Sequence, residues 1–315
     1  MLKPISTLPI ACMLMLSACS YERANRIMYA TPAANVDYLT QKGDAKITAY
    51  YSANAVTDNI YSTNPSYKGI TIGGADVHAA YAVTDHWRVL AGYSYKVITQ
   101  SYVYDTTKYY GGVGIFAPPR TQTNIFDSSL IKYNSSFFQI GAGYSIPLNA
   151  KKSITYNLYG GIDFGKLTVN DAGLNGSGNP YTRYYAVNTT KPWLQGAFNF
   201  GNARTVLNCS FGGRFSLLHF SDPTTTYLQQ ELHYFYLDKI AGQTYFFWEP
   251  YFDVQVRVPG LKWLKIDAQL SLSNGSNNYY PKVSTVNGSI GVTVNVMGTS
   301  RGKSKTGTGK IRFLN

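Results

Sequence analysis

Apolar and polar residues alternate strictly over residues 264–272. Leu264, Ile266, Ala268, Leu270 and Leu272 fall on one face, and Lys265, Asp267, Gln269 and Ser271 on the other. A strand sends successive side chains to opposite faces, so each face here meets a different solvent. The same period runs through ten segments, near 44–53, 74–84, 87–104, 135–147, 151–168, 191–200, 203–220, 244–257, 261–273 and 283–297. Beyond the amino-terminal apolar run, no stretch is long and apolar enough for a transmembrane helix. Alternating segments separated by turn residues predict an all-β chain, a transmembrane up-and-down antiparallel β-barrel with lipid outside and a polar lumen inside.

The connections agree with ten strands. Thr84-Asp85-His86, Leu148-Asn149-Ala150, Gly201-Asn202 and Pro259-Gly260 are tight turns. The other connections are long, near 54–73, 105–134, 169–190, 221–243 and 274–282. Short and long alternate, as in outer-membrane barrels with short periplasmic turns and longer external loops. Both ends of such a barrel are periplasmic. Leu232-His233-Tyr234-Phe235-Tyr236-Leu237 also reads as a strand, which makes twelve strands the alternative count.

The faces are consistent from strand to strand. Val77, Tyr81, Val89, Tyr93, Ile140, Leu158, Phe211, Phe215, Phe252, Val256, Ile290 and Val292 point outward. Inward fall His78, Gln139, Asn157, Asn208, Gln255 and Asn287, with the charged Asp76, Arg88, Lys96, Asp163, Arg214, Glu249, Asp253, Arg257, Lys265 and Asp267. A soluble ligand-binding barrel would place apolar residues inside. Charge inside selects a membrane barrel, because Arg or Lys facing lipid costs about 2–4 kcal/mol at the midplane.

Composition adds little to this. The chain has 315 residues, 44% of them hydrophobic and 15% aromatic, with 28 Tyr and 29 Gly, which favours strands and turns over helices. The formal charge is +12. Part of it sits in a Gly/Ser/Thr-rich basic tail, 298–315, which reads as a solvated disordered end. Nucleic-acid binding fits an exported barrel poorly, and no cofactor or metal cluster is expected.

The amino terminus reads as a secretory signal over 1–18: Lys3, then a short apolar run, then Leu16-Ser17-Ala18-Cys19. That tetrapeptide resembles the bacterial lipobox, which implies cleavage before Cys19 and lipid on it. Cleavage would remove Cys12, and Cys209 would then have no disulfide partner. Residues 19–43 read as a polar periplasmic linker carrying the lipidated Cys19, which suits an anchor in the inner leaflet. The barrel follows over 44–297.

Residues 72–95, with the core Ala80-Tyr81-Ala82-Val83-Thr84-Asp85-His86, resemble the first full hairpin of outer-membrane β-barrel lipoproteins common in Bacteroidota. The lipobox, the linker and Gln41-Lys42-Gly43-Asp44 are similar too. The resemblance implies location and architecture. That group brings no catalytic residues.

Three constellations can carry chemistry. His219-Phe220-Ser221-Asp222 with Glu231 is loosely similar to the His-x-Ser and Glu arrangement of outer-membrane lipid A deacylases, where Ser221, His219 and Glu231 would be nucleophile, base and orienter. The competing reading is a strand end entering a loop. The inward charges are either a selectivity lining or a plug of ion pairs; ten strands lie nearer the filled interior of an eight-strand barrel. Tyr clusters in the loops (Tyr104, Tyr109, Tyr110; Tyr181, Tyr184, Tyr185; Tyr234, Phe235, Tyr236; Tyr279, Tyr280) either stack on glycan or protein partners or pack on one another. Basic loop residues would meet outer-membrane lipid, including lipopolysaccharide. The expected protein is a non-enzymatic outer-membrane lipoprotein that works through its external loops. A narrow porin-like channel is the alternative, and a surface lipid esterase is third.

Overall fold

The computed structural model describes residues 27–55, 67–103, 108–110, 120–122, 126–275, 282–284 and 286–296. The signal region 1–18, Cys19, the tail 298–315 and the loop residues Tyr104, Tyr279 and Tyr280 lie outside the described residues.

Ten long strands form the barrel: β1 Ala45–Ala55, β2 Tyr67–Ala82, β3 Trp87–Val103, β4 Phe126–Pro147, β5 Ile154–Asn175, β6 Pro180–Phe200, β7 Leu207–Thr225, β8 Thr244–Arg257, β9 Leu264–Leu272 and β10 Val286–Val296. Each pairs antiparallel with its chain neighbours. The seam is β1 against β10, in register from Ala45↔Val296 to Ala55↔Val286. A closed ring leaves the ten strands no free edge, so their backbone groups are satisfied within the sheet, the condition for crossing lipid with strands.

The twelve-strand alternative is overturned. Residues 229–234 form a short helix, α1 Gln229–Tyr234, followed by a 3-10 turn at Leu237–Lys239. Leu232 and Phe235 are three apart and turn inward together, a helical spacing. The Glu231 carboxylate accepts the Leu228 N–H at 2.7 Å, satisfying a donor that the first turn leaves free.

Two expected long connections are shorter than their sequence reading. β4, β5 and β6 have 22, 22 and 21 residues, and only residues 176–179 join β5 to β6. A membrane strand needs about 9–11 residues. The surplus stands outside the bilayer, at the end opposite the short turns.

The polarity of the sheet reverses between the two levels. In the lower level Ile47, Tyr51, Phe211, Phe252 and Leu270 are about half exposed on the outer surface, whereas Asp76, Lys96, Asp163, Asp253 and Asp267 are buried inside. Outward aromatic pairs such as Phe215–Trp248, stacked at 4.3 Å, lie on that belt. Water would not tolerate such an apolar belt on a monomer; lipid does. Further along β5 the outward residues become Lys166 and Asn170, and the inward ones Leu167 and Val169. Ile98, Ile131, Tyr133, Val187, Leu218, Phe220 and Phe247 join them inside. Phe235, Leu237 and Ile240, from the connection that carries α1, complete the cluster. The upper level is thus built like a water-soluble barrel stacked on a membrane barrel.

Candidate functional site in the barrel lumen

The largest departure from the sequence reading lies inside. Residues 20–43 read as a periplasmic linker. Ile27–Leu39 instead run along the lumen, all of them buried. The lower end of this lumenal segment meets the short turns, where the Lys42 N–H donates to Asp85 at 2.9 Å. That bond holds the Asp85 carboxyl below its ordinary range. The upper end, Ile27–Ala30, pairs in parallel with residues 282–284 of the last long connection.

The segment's composition matches the two levels it crosses. Ile27, Met28, Tyr29 and Ala30 pack in the upper apolar cluster. Thr31, Asn35 and Asp37 lie in the polar lower lumen. Beyond Ala30 the segment has no strand partner, so its backbone must be satisfied by other means. Here barrel side chains do it. Asn54 donates to the Thr31 carbonyl at 3.1 Å, Gln269 to Ala34 at 3.1 Å, Gln195 to Asn35 at 3.0 Å and Arg88 to Leu39 at 3.0 Å. The Lys46 ammonium donates to the Val36 carbonyl. Side chains of the segment answer in turn. Tyr38 donates to Asp253 at 2.8 Å, and Asp37 accepts from Tyr159 at 2.6 Å.

The inward charges divide their partners between the barrel and the segment. Lys96 pairs with Asp76 at 2.7 Å. Lys191 pairs with Asp163 at 3.1 Å and lies 3.8 Å from Glu249. Tyr29 joins this group, accepting from Lys191 at 2.8 Å and donating to Glu249. Trp193 donates to Asp163 at 2.7 Å, and its ring lies so close to Gly161 that a Cβ there would sit 2.3 Å from it. Arg214 stacks over Trp193 at 5.0 Å and donates to Gln195 at 2.9 Å. Asp267 accepts from Thr293 at 3.0 Å. Arg88 and Lys265 donate to backbone carbonyls rather than to carboxylates, Lys265 to Asn202 at 3.1 Å. Arg257 is half-buried at the short-turn end. The sequence reading omitted Lys46 and Lys191, both fully buried, and Asp37 in the segment. Lys46 and Lys191 sit on the inward phase of their strands, where the alternation could have found them.

Two voids of about 10 Å³ flank the segment, one beside Pro32 and Ala33, the other beside Leu39 and Thr40. Each is roughly the size of one water.

The structure does not assemble Ser221, His219 and Glu231 into a triad. His219 Nδ1 lies 3.0 Å from Thr244 Oγ1. Glu231 is held by Arg183 in two bonds of 2.6 and 2.8 Å and by the Leu228 N–H. Ser221 begins a bulge in the β7–β6 pairing, next to Asp222 in the left-handed region at φ 51°. Among the described residues, no hydrogen bond joins any two of the three. Ser221→Ala and His219→Ala are therefore expected to leave lipid A acylation unchanged, read by mass spectrometry of lipid A from cells expressing each variant. Loss of an acyl chain with the parent protein but not the variants would reinstate the site. Of the loop Tyr clusters, Tyr181, Tyr185 and Phe235 are buried in the upper cluster and pack on the protein itself.

Closed topology, an apolar belt facing out and charge facing in define this protein as a bacterial outer-membrane β-barrel. Among solved structures, the translocator domain of the autotransporter NalP from Neisseria meningitidis is similar over 81% of this chain and 88% of that one, at 12% identity and a TM-score of 0.47. The attachment invasion locus protein Ail of Yersinia pestis is similar over 81% and 99%, at 11% identity and a TM-score of 0.28. The outer-membrane protein OprG of Pseudomonas aeruginosa is similar over 82% and 99%, at 9% identity and a TM-score of 0.31. No family model matches the chain, and no curated protein matches it.

Proposed function

We propose that this protein is a closed, non-enzymatic outer-membrane barrel, lipid-anchored through Cys19, that acts by presenting its upper level at the cell surface. One observation carries the reading: the lumen is occupied from end to end by the chain itself, with residues 27–39 buried and hydrogen-bonded to the wall. A transport path needs a lumen that water can cross, and an interior filled by protein is the narrow-barrel limit. The upper arms of β4, β5 and β6 and the α1 connection then make up the part of the molecule available to partners, whether lipopolysaccharide, glycan or protein. Purified protein in planar bilayers is expected to give no conductance above the empty bilayer. Steady openings of the unmodified protein would replace this reading with a narrow channel.

A further inference from the structure

We infer that the chain leaves the barrel through its outer mouth, so that the residues preceding Ile27, Cys19 among them, are displayed on the cell surface. This runs opposite to the inner-leaflet anchor that a periplasmic linker would give. The inference rests on the orientation of the barrel and the path of the lumenal segment, and it holds whether or not Cys19 is acylated.

The orientation has two supports. The turns at one end are short, as periplasmic turns are. At the other end the strands outrun the membrane and change to an apolar interior with polar residues outside, which is a water-facing construction. The segment's direction follows from its two ends. Lys42 and Gly43 bond to Asp85 and Ala82 beside the short turn before β3. Ile27, Tyr29 and Ala30 pair with Lys282, Val283 and Ser284, in the connection at the opposite end. Read backward from β1, the chain therefore climbs the lumen and reaches Ile27 at the outer level.

Reach decides where Cys19 can lie. It precedes Ile27 by eight residues, at most about 29 Å of extended chain. Residues 27–40 already take about 45 Å to cross the lumen at roughly 3.3 Å per residue. The lumen they occupy offers no second passage, as residues 27–39 are themselves buried against its wall. A route outside the barrel would have to descend past the upper level and then through lipid to the inner leaflet. Eight residues do not cover that distance. An acyl group on Cys19 would therefore lie on the outer side of the membrane, the side that the protein presents.

Arg23 and Arg26 make the test possible on the natural protein. Intact cells are treated with trypsin, which does not cross the outer membrane, and the barrel is recovered and sequenced from its new amino terminus. A terminus at Ala24 or Ile27 from intact cells is the expected result. Cleavage at these sites only after the outer membrane is permeabilised would overturn the inference. A second variant guards against shielding of the arginines: an epitope tag inserted after Arg23, compared with the same tag in the turn at 149–152. Antibody should label the first on intact cells as strongly as after permeabilisation, and the second only after permeabilisation. The reverse pattern overturns the inference. The mass of the amino-terminal peptide separates threading from acylation. An unacylated surface peptide would remove the lipid anchor and leave the threading in place. An acylated peptide that stays protected until permeabilisation would remove the threading and leave the anchor.

Discussion

Deleting residues 27–39 is expected to turn a silent barrel into a conducting one. The segment is continuous from the outer mouth to the short turns, so the path it vacates is continuous too. Ten strands enclose more than side chains alone fill, since eight already leave an interior just wide enough for them. The groups exposed along that path are polar in the lower level: Lys46, Gln195, Asp253 and Gln269 all lose partners in the segment. Polar groups without partners draw in water, which also limits their cost. The ten-strand ladder does not involve the segment, so the ring should still fold, with the heat-modifiable migration on gels typical of barrels. Steady conductance steps from the deletion beside a silent parent would identify the segment as the plug. A folded deletion variant that stays silent would mean that the upper apolar cluster alone seals the lumen.

Lys191→Met is expected to cost about 3–5 kcal/mol, the usual penalty for removing one partner of a buried ion pair. Lys191 is fully buried and lies between two carboxylates, Asp163 at 3.1 Å and Glu249 at 3.8 Å, with the Tyr29 hydroxyl as a third partner. Without it, two negative charges face each other at the junction of the polar and apolar levels. Urea-induced unfolding in detergent micelles, parent beside variant, measures the difference. Adding Glu249→Gln should restore part of the loss, because one uncompensated charge is then gone. A loss below about 1 kcal/mol would mean that this cluster behaves like a solvated surface pair, and that water reaches it past the segment.

Alternation made the barrel legible because every strand in the bilayer separates two solvents. Asp76, Arg214 and Asp267 could be placed inside, and Phe211 and Ile290 outside, from their phase alone. The upper arms were harder. Lys166, Leu167, Thr168 and Val169 also alternate, but with the faces exchanged, because the surroundings change there and the period does not. The lumenal segment was the least legible. It has no period, because it faces protein on all sides, and its backbone is satisfied by side chains distant in sequence, such as Gln195 and Gln269. A trace was present in the run Ile27-Met28-Tyr29-Ala30, too apolar for a solvated linker. The candidate triad failed for a different reason. Residues close in sequence on a strand end and a following helix carried no information about Arg183, which lies on β6 and takes Glu231.

The seam between β1 and β10 bears on how the molecule is made. The lumenal segment is covalently tied to β1 at its lower end and reaches the upper level at Ile27, so a ring that had already closed would have to be threaded. Laying the segment along the open sheet before the seam zips avoids that step, and β1, which follows the segment directly, is one lip of the seam. Closure and filling then become one event, in which the last strand pairing locks the first part of the chain in place. A barrel assembled this way never passes through an open, leaking state. To lose the segment afterwards it must either part the seam or draw the whole length back through a tight bore, so its retention is secured by the height of a barrier as much as by the depth of a well.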